Sequence, residues 1–147
     1  MKRINNKSVY FDIDILAILE KKEYEITILF ENYEIRKIDY NKYINDNFAN
    51  HKELLEPKIF NNLKIKDCTL YFPNYLKGFY VAPDNLYLNS KPVSFKPQYL
   101  SIIRKLKGIS QKELAKQLNI QIKELAEIEK GNKNNLRIIA KALNFLI

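Results

Sequence analysis

Residues 110–131, reading SQKELAKQLNIQIKELAEIEKG, leave the backbone little freedom. Ser110-Gln111-Lys112-Glu113 has the S-x-x-E form of a capping box, in which each side chain satisfies an orphan amide at the other end of a helix's first turn. Leu114, Ala115 and Leu118 then repeat at helical spacing and form one apolar face. Asn119 follows, a residue that tolerates the left-handed conformation needed to reverse the chain. Leu125 and Ile128 give the next helix its inward face, and Gly131 ends it. Two short helices joined by a tight turn are the outcome this spelling allows.

Helices are expected on both sides. Pro97 suits the first turn of a helix running to about Lys107, which Gly108 closes. A last helix over residues 136–145 turns Ile139, Leu143 and Leu146 inward, and the apolar end Phe145-Leu146-Ile147 packs either internally or across a dimer. Charge sets this half apart. Residues 96–147 carry 11 Lys and Arg against 4 Asp and Glu, whereas residues 1–95 carry 14 against 13. A basic half of this kind is the electrostatic footprint of a polyanion binder. Aromatics divide the other way: of the 10 Tyr and 8 Phe, only Tyr99 and Phe145 lie after residue 95. Residues 91–97, with two prolines and no periodicity, read as a linker between domains at 1–90 and 98–147.

The first half is expected to be a small α+β unit with a mostly antiparallel sheet, followed by the all-α bundle. Residues 9–15 alternate apolar and polar, as a half-buried strand does. Residues 24–40 read as a hairpin turning at Glu31-Asn32-Tyr33-Glu34, with Asn32 the residue best suited to a left-handed conformation. Mixed short helical turns precede Pro57, and strands follow at 63–65, 68–72 and 79–81. Cys68, the one cysteine, reads as a small buried residue in a reducing compartment. With one Cys and one His (His51), no zinc site and no nucleophilic triad is expected. Asp12 and Asp14 alternate toward solvent rather than into a catalytic pair. No apolar run approaches the roughly 20 residues that span a bilayer, and the basic start lacks the core of a signal peptide. The expectation is a cytoplasmic, cofactor-free, non-enzymatic protein.

Residues 110–131, with the capping box, the turn at Asn119 and the closing Glu129-Lys130-Gly131, resemble the helix-turn-helix of the Cro-like and phage-repressor-like regulators. The resemblance implies double-stranded DNA as partner and gives each position a role. Arg104 and Glu129 fall where that family forms a partly buried structural ion pair. Gln111, with Lys112 beside it, opens the second helix and is expected to meet a phosphate. Gln121, Ile122, Lys123 and Glu127 fall on the DNA-facing side of the recognition helix, where Gln121 and Lys123 reach base edges or phosphates and Ile122 a thymine methyl. Asn132, Lys133 and Asn134 would grip the backbone.

A second resemblance covers about residues 8–88. Leu29-Phe30, Asp39, Leu55 and Phe60, Phe72-Pro73-Asn74 and Pro83-Asp84-Asn85-Leu86-Tyr87 stand in the order seen in the bacterial family called domain of unknown function 2442. It implies no chemistry, but a setting beside helix-turn-helix modules and an antitoxin-like pairing with a neighbouring protein. Phe72, Tyr75, Phe79 and Tyr80 are then the candidate partner-binding rings, since Tyr and Phe dominate protein interfaces. Together the readings give a two-domain, homodimeric, autorepressing regulator. The rival is an inhibitor from a phage or mobile element, which blocks a host or defence enzyme through its first half and keeps the helix-turn-helix for autoregulation or protein contact.

Overall fold

The computed structural model describes residues 12–147. The chain divides into two compact units, residues 1–93 and 94–147. It is α+β, with a sheet-bearing first unit and an all-helical second.

In the first unit β1 (Ile15–Lys22), β2 (Glu25–Phe30) and β3 (Ile35–Asp39) form an antiparallel meander, and β7 (Lys91–Pro92) adds to β3. Pro92 sits at the edge, where a strand residue can lack a donor, and Val93 N–H donates to the Ile35 carbonyl (2.9 Å). The stretch expected to be linker from residue 91 thus begins inside the sheet. A second sheet holds β4 (Lys64–Lys66), β5 (Thr69–Phe72) and β6 (Phe79–Val81), again antiparallel. Short helices α1 (Tyr40–Asn47), α2 (Pro57–Asn62) and α3 (Pro83–Leu88) and a 3-10 turn at Lys52–Leu55 lie between the strands.

The core explains the pattern. Residues 26–30 are buried throughout, so β2 is covered on both faces, and it shares one core cluster with Tyr40, Phe60, Phe72 and Leu86. Tyr40 donates its hydroxyl to the Leu54 carbonyl; burial pushes that phenol's pKa well up. Lys21 lays its ammonium across the Phe60, Asn61 and Leu63 carbonyls (3.1, 2.9 and 3.3 Å), adding a donor at the end of α2, where Leu63 N–H also reaches the Phe60 carbonyl (3.4 Å).

Several local expectations change. Of the strand expected at 9–15, residues 9–11 lie outside the described residues; Ile13 and Ile15 are buried and Asp12 and Asp14 exposed. Pairing with β2 runs from Ile15 to Lys22, with the register shifting between Ile15 and Ala17 and again between Ile18 and Glu20. The hairpin over 25–39 forms, but Tyr33 (φ 65°), not Asn32, takes the left-handed conformation. Asn32 instead accepts from Glu34 N–H (3.1 Å) and donates to its carboxylate (2.9 Å), an Asx turn that fixes the loop. Glu23 and Tyr24 are both left-handed in the two-residue β1–β2 turn (φ 55° and 61°), and Tyr24 is held there by the Leu55 carbonyl (2.8 Å) and the Phe60 ring (4.7 Å). Cys68 is exposed, not buried: with Asp67 it forms the two-residue β4–β5 turn (φ 51° and 65°). Nearby carboxylates, Asp14 first, raise its pKa, so the thiol stays protonated and a poor nucleophile.

Candidate nucleic-acid interface

Four helices make the second unit: α4 (Tyr99–Leu106), α5 (Gln111–Leu118), α6 (Ile122–Glu129) and α7 (Leu136–Leu146). Leu100, Ile103, Leu114, Ala115, Leu118, Leu125, Ile128, Ile139, Ala142 and Leu146 form the core between them. Leu143 is half-buried, and Phe145 and Ile147 are exposed.

The three helix ends follow one rule. After α4, Ile109 N–H bonds the Arg104 carbonyl and Gly108 N–H the Lys105 carbonyl (3.2 and 3.0 Å), with Gly108 at φ 69°. After α5, Ile120 N–H bonds Ala115 and Asn119 N–H bonds Lys116 (3.0 and 3.2 Å), with Asn119 at φ 56°. After α6, Asn132 N–H bonds Glu127 and Gly131 N–H bonds Ile128 (both 2.9 Å), with Gly131 at φ 82°. Each is a Schellman end with a left-handed residue just past the helix. The tight α5–α6 turn is therefore built from Asn119, which does the work glycine does at the other two.

The capping box forms. Glu113 N–H donates to Ser110 Oγ (3.0 Å) and Ser110 N–H to Glu113 Oε1 (3.1 Å). That backbone donor, with the Ser110 side chain, holds the Glu113 carboxyl below its ordinary value near 4.5. Stability from this link is complete above that ordinary value and is lost as pH falls through the lowered one. Ser110→Ala is expected to cost about 1 kcal/mol and to blunt the loss of stability below about pH 4.5, which urea unfolding at pH 7 and at successive acid steps would read.

At the centre, Arg104 meets Glu129 through two parallel bonds, Nε to Oε2 at 2.8 Å and Nη2 to Oε1 at 3.0 Å. Both side chains are buried, 8% and 5% exposed. Arg104 Nη1 also donates to the Ile109 carbonyl (2.8 Å). Gln111 Nε2 donates to Glu129 Oε1 (2.9 Å). One carboxylate thus ties the first helix, the start of the second and the end of the third. Gln111, expected on a phosphate, spends one of its two amide hydrogens inward.

Gln121, Ile122 and Lys123 stand exposed at the start of α6, with Gln121 in the N-cap position and making no capping bond through its side chain. Lys112, Asn132, Lys133 and Asn134 are exposed as well. Glu127 is half-buried and locally engaged, 3.9 Å from Lys130 Nζ and 3.3 Å from Asn132 Nδ2. Its charge is therefore partly offset at the surface where a polyanion would approach. Sequence reading passed over Arg137, exposed in the first turn of α7; the side-chain cap of Asn135 on Ile138 N–H (3.2 Å), which starts that helix, was the local signal for its position.

The candidate rings of the first unit separate. Phe72 is 1% exposed and lies in the core, because its strand phase points it inward with Leu70. It is not available to a partner. Phe79 and Tyr75 are half-buried against the same core, and Tyr80 alone is exposed. No group of acidic, His or Cys side chains suited to a metal occurs among the described residues. No helix among them is long and apolar enough to cross a membrane.

No curated protein matches the chain. A solved structure named "Putative DNA Binding Protein NE0471", from Nitrosomonas europaea, is 14% identical with a TM-score of 0.42, covering 92% of this chain and 88% of that one. A superposition that loose assigns neither fold nor role. The helix-turn-helix family model matches residues 100–146, which are the four helices just described. Over those residues this chain carries a helix-turn-helix domain.

Proposed function

We propose that the chain is a sequence-specific DNA-binding regulator and that α6 is its reading helix. The observation that carries this is the exposed trio Gln121, Ile122 and Lys123 at the start of α6, presented by the capped and buttressed α5–α6 pair. In a helix-turn-helix the residues at the start of the second helix meet base edges in the major groove. Gln suits adenine, Lys suits guanine, and an apolar side chain suits a thymine methyl. Gln111 and Lys112 stand at the α5 N-terminus, where backbone amides favour a phosphate. Lys133, Asn134 and Arg137 supply backbone grip beyond α6.

Binding as a two-fold dimer to half-sites about one helical turn apart, and repression of its own operon, complete the reading. An antitoxin-like protein partner for the first unit rests on the resemblance of residues 8–88, with Tyr80 left as the exposed ring of the candidate set.

Fluorescence anisotropy on the DNA upstream of the coding sequence and on a scrambled duplex, over a salt series, tests the main reading. A preference of at least about a thousandfold for the native duplex is expected. Lys123→Ala should cost that preference about 1–3 kcal/mol. Weak binding to both duplexes, falling equally with salt, would reduce the module to a basic surface or a protein contact.

A further inference from the structure

The outer face of the second sheet carries a cluster that the helix-turn-helix reading does not use. Lys64, Tyr71 and Tyr80 are direct cross-strand partners along one row of β4, β5 and β6. Side chains in such a row share a face. The opposite face holds Leu70, Phe72 and Val81 in the core. Lys66, two residues from Lys64, places its ammonium 4.7 Å from the Tyr71 ring centre. The Tyr71 and Tyr80 rings lie 4.9 Å apart at a tilt of 46°, so neither covers the other flat.

This face is also held in place. The β5–β6 turn runs against the Tyr71 ring at Gly78 (φ 97°), where an added Cβ would stand 2.6 Å from a ring carbon. Tyr71 is thereby fixed by glycine backbone on one side and by Lys66 on another, while Tyr80 remains 44% exposed. The nearby acid is Asp67, which accepts a long hydrogen bond from the Tyr80 hydroxyl (3.3 Å). Lys64 and Lys66 outnumber it in a half whose charges otherwise nearly cancel.

Rings fixed on a sheet, one of them 44% exposed, beside exposed lysines make a surface for stacked bases flanked by phosphates. The geometry points to a second nucleic-acid site, specific to single strands, on the outer face of β4, β5 and β6, with Tyr80 as the stacking ring and Lys64 and Lys66 as phosphate contacts. A duplex buries its base faces and gives the rings nothing to stack on, which is why the partner is single-stranded. The row spans two inter-strand spacings, ~10 Å, which is room for about two nucleotides. On binding, Lys66 leaves the Tyr71 ring for a phosphate and frees that ring for the second base. A protein segment that docks on the same ring is the alternative that the test below separates.

The test uses the full chain, fluorescein-labelled oligo-dT and oligo-U, and excess unlabelled duplex to occupy the helix-turn-helix. Binding that persists under duplex is expected. Tyr80→Ala should weaken it roughly tenfold and Tyr80→Phe little. Lys64→Ala with Lys66→Ala should make the log–log salt slope shallower by about 1.4. All three variants should keep the wild-type circular dichroism melt and duplex affinity. No binding of either oligonucleotide, displacement by duplex, or an unchanged affinity in Tyr80→Ala would overturn the site. A protein that binds wild type but not Tyr80→Ala, with strand affinity unchanged, would assign the face to a protein partner instead. Duplex binding and its loss in Lys123→Ala are read separately, so failure of the regulator reading leaves this result standing.

Discussion

Removing Arg104 is expected to be the most damaging single change in the second unit. Arg104→Ala should destabilise it by about 3–5 kcal/mol, the cost of leaving a buried charge without its partner. Glu129, whose side chain is 5% exposed beside Arg104, would be left with Gln111 as a bonded neighbour, and the Ile109 carbonyl would lose the Arg104 donor. Glu129→Ala should cost a similar amount from the other side. Replacing both, Arg104→Met with Glu129→Leu, should recover most of the loss, because no buried charge is stranded. The measurement is urea unfolding followed at 222 nm, with duplex anisotropy alongside. Since the Glu129 carboxylate sets α5 and α6 relative to each other through Gln111, the double variant should regain stability without regaining full duplex affinity. A loss below about 1 kcal/mol in Arg104→Ala would mean that the pair behaves as an exposed one, and the buttressed-reader argument would fail with it.

The second unit was legible in the sequence because its instructions are local. Ser110 and Glu113 act within one turn, and Gly108, Asn119 and Gly131 each act at a single backbone position. No distant contact is needed to read them. The first unit is written in long-range contacts, and legibility falls accordingly. The hairpin over 25–39 was readable from its two-residue alternation. β1 was missed beyond Ile15 because Ile15-Leu16-Ala17-Ile18-Leu19 is apolar at every position, which hides the period. α3 was missed because its six residues are too few to show a helical period, although Pro83 at the first helical position is a helix-start signal. Glu23 and Tyr24 carry no turn signal at all; their left-handed turn is imposed by the Leu55 carbonyl and the Phe60 ring, more than 30 residues away. Phe72 failed as a surface residue for a simple reason of phase: ring-rich strands alternate, and Phe72 and Tyr80 stand on opposite faces of the same sheet.

Phe30→Ala is expected to do in the first unit what Arg104→Ala does in the second, by a different mechanism. Phe30 is fully buried at the end of β2, and truncating such a ring typically costs 3–5 kcal/mol through lost burial and the cavity left behind (about 3–5 here as well). Its partner ring is Tyr87, met edge-on at 5.2 Å. Tyr87 in turn donates to Glu34 (2.6 Å) and lies under the Arg36 guanidinium (4.2 Å), which bonds Ser90 at its side chain and carbonyl (2.6 and 2.8 Å). The cavity therefore opens beside the network that pins α3 to β3, and the network should loosen with it. Phe30→Leu keeps most of the volume and should cost less than about 1.5 kcal/mol. Set against the roughly 5–15 kcal/mol of a whole domain, the alanine variant should bring first-unit unfolding close to working temperature. Hydrogen exchange would show this as lost protection across β2, β3 and α3. The helix-turn-helix has a core of its own, so amide protection in α4–α7 and duplex affinity should stay at wild-type values. Equal loss of protection in both halves would show that the two units fold as one.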